Sequence, residues 1–198
     1  MSLLRFMQEL LNQIKACDVC KGSLPHHPRP VLAASPASKI VVIGQAPGKR
    51  VHESGVPWDD QSGMQLREWL GVTRHEFYTP ENFAILPMGF CYPGKGKSGD
   101  LPPRSECAPL WHSQLLDRLT NRVLVLLVGH YAQRYYLKEA AQKTLTATVK
   151  NYNAYLPTYL PLPHPSPRNR FWFKKNEWFA ENVVPELKKR VSDVLSHA

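Results

Sequence analysis

Three short apolar runs constrain this chain more than anything else in it. Residues 39–44 read KIVVIG, residues 83–88 read FAILPM, and residues 122–129 contain an unbroken LVLLV. A strand with one wet face alternates apolar and polar residues, whereas a strand covered on both faces reads as a continuous apolar run. These runs are therefore expected to be central strands, the first ending in a Gly/Pro turn at residues 44–48. A fourth, Pro-interrupted extended segment is expected over residues 156–162.

Helical patterns fall between the strands. Leu3, Leu4, Met7, Leu10, Leu11 and Ile14 recur at the spacing of an amphipathic first helix. Residues 62–70 form a helix with Met64, Leu66, Trp69 and Leu70 as apolar contacts, and Asp59, Asp60 and Ser62 supply capping oxygens. Residues 106–119 and 130–137 read as helix. A basic amphipathic helix closes the chain over residues 175–195, with Pro185 able to kink or divide it. Strands alternating with helices imply an α/β fold with a mostly parallel sheet covered on both faces. At 198 residues one domain, 1–198, is expected.

In such a sheet, ligands bind beyond the carboxyl ends of the strands. Three chemically unusual loops follow the expected strands there: residues 44–58, 89–104 and 164–173. The last places Arg168 and Arg170 beside Phe171 and Trp172, a pairing suited to phosphate attraction and base stacking. The second contains GKGKSGD at residues 94–100, which can cradle phosphate or serve as a flexible basic loop, and is not a P-loop. A formal net charge of +9 suits polyanionic partners and equally serves solubility.

The four cysteines form a second constellation. Cys17 and Cys20 make a C-x-x-C pair ahead of the first strand, and Cys91 and Cys107 bracket the Gly/Pro loop. Residues 1–17 are interrupted by Arg5, Gln8, Glu9 and Lys15, so they read as no signal peptide, and no apolar run is long enough to span a bilayer. A cytoplasmic, membrane-free setting is therefore expected, in which thiols stay reduced. Four thiolates suit structural zinc or an iron–sulfur cluster, and spacing alone does not separate the two.

Taken with the cysteines, two motifs carry a resemblance. GQAPG at residues 44–48 and HPSPRN at residues 164–169 resemble the two active-site motifs of the uracil-DNA glycosylase superfamily, the second in the form of its single-strand-selective branch. The cysteine layout resembles the iron–sulfur family 4 enzymes. The resemblance implies a three-layer α/β/α sandwich around a four-stranded, mostly parallel sheet. It also implies a structural 4Fe–4S cluster on Cys17, Cys20, Cys91 and Cys107, with zinc as the alternative. A monomer acting on single- or double-stranded DNA in base-excision repair is expected, with a nucleotide flipped out of the stack. By the same resemblance, the backbone around Gln45 and Ala46 lies beside the sugar and the attacking water, while Gly44 and Gly48 permit close backbone approach to a ligand and Pro47 stiffens the turn. Trp58 stacks on the base, and His164 stabilises charge on the departing base. Ser166, Arg168 and Asn169 shape a DNA-facing loop.

The sequence departs from the family 4 pattern in three places, one of them GKGKSGD at residues 94–100, which is longer in glycine and lysine than expected. Gln45 stands where a glutamate is usual, and an amide orients water but cannot take its proton. Asp59 or Asp60 can serve as the base instead, or can simply cap the helix that follows. Residues 87–90, PMGF, carry no asparagine to read the edge of uracil.

Overall fold

A computed structural model describes residues 3–196; the two residues at each end of the expected 1–198 domain lie outside the described region. In chain order the elements are α1 (Leu3–Lys15), β1 (Ile40–Ile43), α2 (Lys49–Ser54), α3 (Gln61–Leu70), α4 (Arg74–Tyr78), β2 (Phe83–Ile85), β3 (Lys95–Gly96) and β4 (Gly99–Asp100). They continue with α5 (Ser113–Arg118), β5 (Leu124–Val128), α6 (His130–Leu137), α7 (Leu145–Lys150), β6 (Tyr159–Leu162), α8 (Arg170–Lys175) and α9 (Val184–Ser196).

The main sheet has the order β2-β1-β5-β6, and all its pairings are parallel. Side chains alternate between its faces. Val41, Ile43, Val125 and Leu127 meet Met7, Leu10 and Ile14 of α1, Leu115 of α5 and Ala132 of α6. Ile40, Val42, Leu124, Leu126 and Val128 meet Leu66 and Leu70 of α3, Val149 of α7, and Leu187 and Val191 of α9. Continuous apolar strands between two helical layers are the α/β/α sandwich expected of such runs. Each fully buried Leu, Ile or Val contributes roughly 1.5–3 kcal/mol. Hydrogen bonds between Ala33 and Ile85, at 3.1 and 2.6 Å, cover the outer edge of β2 with the segment after the Pro-rich loop.

Several boundaries differ from expectation for local reasons. The expected strand over 156–162 begins at Tyr159, after Pro157, and β2 ends at Ile85, ahead of Pro87. Residues 106–119 are a π-type turn (Ala108–His112) that leads into α5. The closing helix is three pieces: α8, a π-type turn (Phe179–Val183) and α9, with Pro185 as the second residue of α9. A proline has no N–H to give the preceding turn, so the widened turn stands immediately before it. Phe179 is buried between α3 and the sheet, edge-on to Trp69 at 4.9 Å. Among the described residues no helix is long and apolar enough to cross a membrane.

Candidate active site

The turn that follows β1 is shaped by an indole. A β-carbon on Gly44 would lie 2.8 Å from the ring of Trp58, so a bare α-carbon is what lets that ring rest on the strand end. Backbone bonds from Met88 N–H to Gly44 O (2.9 Å) and from Gly89 N–H to Gln45 O (3.0 Å) tie the turn to the chain beyond β2.

Trp58 is held from several sides. Its φ is +57°, a left-handed conformation that costs a non-glycine residue on the order of 1–3 kcal/mol. Its carbonyl accepts from Arg67 Nη1 at 3.3 Å, and Tyr78 donates to the carbonyl of Pro57 at 2.8 Å. Gly63 is obligatory beneath it, because a β-carbon there would sit 1.7 Å from the Trp58 carbonyl oxygen. Asp60 Oδ1 accepts from Gly63 N–H at 2.8 Å, so Asp60 caps α3 while also lining the cavity. Asp59 is drawn away into an ion pair with Arg74 at 2.9 Å.

His164 arrives from the end of β6. Its ring stands 5.5 Å from that of Trp58, tilted by 32°. Buried Gln133 donates to the carbonyls of Leu127 (3.3 Å) and Leu162 (2.9 Å), which pins the ends of β5 and β6 together. Asn169 Nδ2 donates to the His164 carbonyl at 2.8 Å, and Ser166 Oγ accepts from Arg168 N–H at 3.3 Å, so the HPSPRN loop closes on itself. Loss of solvent around the His164 ring lowers its pKa below the ordinary 6.5, with the Asp60 carboxylate pulling the other way. Burial is the larger influence, and at neutral pH the imidazole is neutral.

The third wall is one that sequence reading left open. GKGKSGD forms the β3–β4 hairpin, with Lys95 opposite Asp100 and Gly96 opposite Gly99. Arg168 lies across it and donates to the Ser98 carbonyl at 3.4 Å. A β-carbon on Gly99 would collide with that guanidinium at 2.3 Å. Asp100 Oδ1 accepts from Tyr92 Oη at 3.3 Å, and Oδ2 lies 3.5 Å from where a β-carbon on Gly48 would stand. Hairpin, GQAPG turn and HPSPRN loop thus meet.

Between them is a cavity of about 420 Å³, within the range of small-ligand sites. Its lining includes Gly44, Gln45, Ala46, Pro47, Gly48, Trp58, Asp60, His164, Ser166, Arg168 and Asn169, whereas Arg170, Phe171 and Trp172 do not line it: they belong to α8, where Trp172 Nε1 donates to Thr146 Oγ1 at 2.8 Å. Ser62, Pro87, Ser98 and Asp100 also line the cavity. Asp100 ends the GKGKSGD segment, which was read only for its glycines and lysines. Its position depends on the hairpin folding back onto Gly48.

Behind the cavity, His112 is buried. Its Nε2 faces the Pro87 carbonyl at 3.1 Å and its Nδ1 faces the Tyr136 hydroxyl at 2.6 Å. Burial lowers its pKa to about 4. Pro87, in the stretch without a base-reading amide, is therefore anchored through its carbonyl.

Cys17, Cys20, Cys91 and Cys107 all line a second, small cavity, walled by Pro28, Pro30, Phe90 and Trp111, with Arg104 at its side. All four are free thiols. Burial, with the neighbouring thiols adding to it, raises Cys91 to about 12 and Cys107 to about 11. Among the described residues no three His, Cys, Asp or Glu side chains are grouped to hold a metal ion.

A family model described as the uracil DNA glycosylase superfamily matches residues 32–188. That span covers the parallel sheet, both motif loops and the hairpin, and begins after Cys17 and Cys20. A strand-end cavity bounded by the two motif loops agrees with that match, and the chain belongs to the uracil DNA glycosylase superfamily.

Proposed function

We propose that this protein is a DNA glycosylase that hydrolyses the N-glycosidic bond of uracil or a related damaged base, leaving an abasic site. The observation that carries the reading is the convergence of Gln45, Trp58, Asp60 and His164 on one cavity at the strand ends. A flipped nucleotide enters that cavity and stacks its base on Trp58. His164 is neutral at working pH and donates a hydrogen bond to the base as it departs with the bonding electron pair. The Gln45 amide orients the attacking water. Asp60, held by the start of α3, stabilises the positive charge that develops on the sugar. Arg168, Ser166 and Asn169 give the DNA-facing loop its shape, and Arg168 and Arg170 attract phosphate.

Cys17, Cys20, Cys91 and Cys107 would hold a 4Fe–4S cluster, with zinc as the alternative. The donor set supports this: four free thiols of a cysteine-only site share one cavity with apolar walls. Four cysteine sulfurs suit either group. Such a group supplies a structural cross-link, and no step of base release runs through it.

A second reading, a DNA-binding module that does not cleave, draws on Gln45 and on the missing amide at Pro87. Paired assays on anaerobically purified protein separate the two. Single- and double-stranded oligonucleotides carrying uracil, hypoxanthine or xanthine are scored for binding and for alkali-labile abasic sites. Abasic product supports the enzyme. Salt-dependent binding with no product from any substrate supports the module.

A further inference from the structure

We propose that Asp100, on the β3–β4 hairpin, takes the proton of the attacking water. This assignment rests on the glycosylase reading above and completes it, because that reading leaves the proton without an acceptor. Gln45 is an amide and has no useful proton affinity. Asp59 is ion-paired with Arg74 at 2.9 Å and does not line the cavity. Asp60 does line it, but Oδ1 is engaged by Gly63 N–H at 2.8 Å and its charge bears on His164, on the leaving-group side.

Asp100 lines the cavity as Asp60 does, but Asp60 is half-buried whereas Asp100 is exposed, so bulk water reaches it. Its Oδ2 stands against the far end of the GQAPG turn, 3.5 Å from the β-carbon position of Gly48, on the same cavity as the Gln45 and Ala46 backbone assigned to sugar and water. Its other oxygen is held by Tyr92 Oη at 3.3 Å. Tyr92 is itself fixed by ring contacts to His26 (5.7 Å, nearly parallel) and His52 (5.9 Å). One carboxylate oxygen is thus fixed in place while the other faces the turn, the preorganisation a general base requires.

In the step itself, the water oxygen bonds to C1′ as the C1′–N bond breaks. The electron pair leaves with the base, whose negative charge is met by the hydrogen bond from His164. The water's released proton passes to Asp100, and the base anion later takes a proton from solvent.

The test is single-turnover base release from a uracil-containing single strand, run beside binding to the same strand carrying a non-hydrolysable 2′-fluoro-deoxyuridine. Asp100→Asn is expected to slow release on the order of 100-fold with Kd unchanged. Tyr92→Phe should slow it less, on the order of tenfold, again with Kd unchanged. Asp100→Asn at the wild-type rate, with Asp60→Asn inert but folded, overturns the assignment in favour of Asp60. Wild-type protein inert on uracil, hypoxanthine and xanthine strands overturns the glycosylase reading and this assignment with it, so the two failures are distinguishable.

Discussion

The strand-end cavity and the cysteine cavity share no lining residue, are linked by the segment between Cys91 and Cys107, and differ in nearly every physical respect. The first is roomy, open and lined by Gln45, Asp60, Asp100, His164 and Arg168. The second is small and walled by two prolines, Phe90 and Trp111. Burial acts in both, with opposite consequences. At His164 it favours the neutral imidazole, a hydrogen-bond donor that needs no counter-charge. At Cys91 and Cys107 it favours the neutral thiol, and only a nearby cation would make thiolates there inexpensive. The segment between Cys91 and Cys107 carries the β3–β4 hairpin, one wall of the other cavity. On this view the cysteine site is an anchor and the strand-end cavity is where chemistry occurs.

The contrast can be broken by substitutions on either side. The largest effect is expected at His164. His164→Ala should lower single-turnover base release by about 10²–10³-fold, the usual loss for one donor to a developing anion, with little change in thermal melting. A melting loss as large as the rate loss would make His164 a packing residue. Cys91→Ser should do the reverse. If the proposed cluster is bound there, the substitution should remove the cluster's absorbance and lower stability by several kcal/mol, because metal-binding energy is folding energy in such sites. Unchanged melting and unchanged iron content would dissolve the anchor.

A third test uses pH. The unfolded chain protonates His112 near 6.5, whereas the fold holds it down to about 4. Stability is therefore full above pH 6.5. It falls as pH drops towards 4, where the unfolded state has taken the proton and the native state has not. The loss from this residue is about 3 kcal/mol at full extent. Chemical denaturation at pH 7 and pH 4.5 should show it, and His112→Gln should flatten the difference. The smallest effect is expected from Arg168→Ala. It should weaken DNA binding about equally for all sequences and reduce the salt slope by about 1, if the guanidinium meets a phosphate.

Much of the sheet was legible because both its faces are covered, which leaves continuous apolar runs that admit few other structures. The short helices were not. α2, α4 and α7 are too short to establish a periodicity, although their ends carried signals. Gly55 closes α2 at a φ of +73°, and Thr73 with Glu76 forms a capping box on α4. The motif residues could be read because each motif is local. Asp60 was open to two readings, a water-activating base or a helix cap; it caps α3 and also lines the cavity. Asp100 could not be read, since its place beside Gly48 is a long-range contact made by the hairpin.

The most direct test of the central claim is mass spectrometry of the reaction of cluster-loaded protein with single-stranded DNA carrying one uracil, hypoxanthine or xanthine. We expect free base together with an oligonucleotide lighter by that base and heavier by water, and both species formed about 10²–10³-fold more slowly by His164→Ala. DNA that stays intact with every substrate, under conditions where the wild-type protein binds it, would contradict the account.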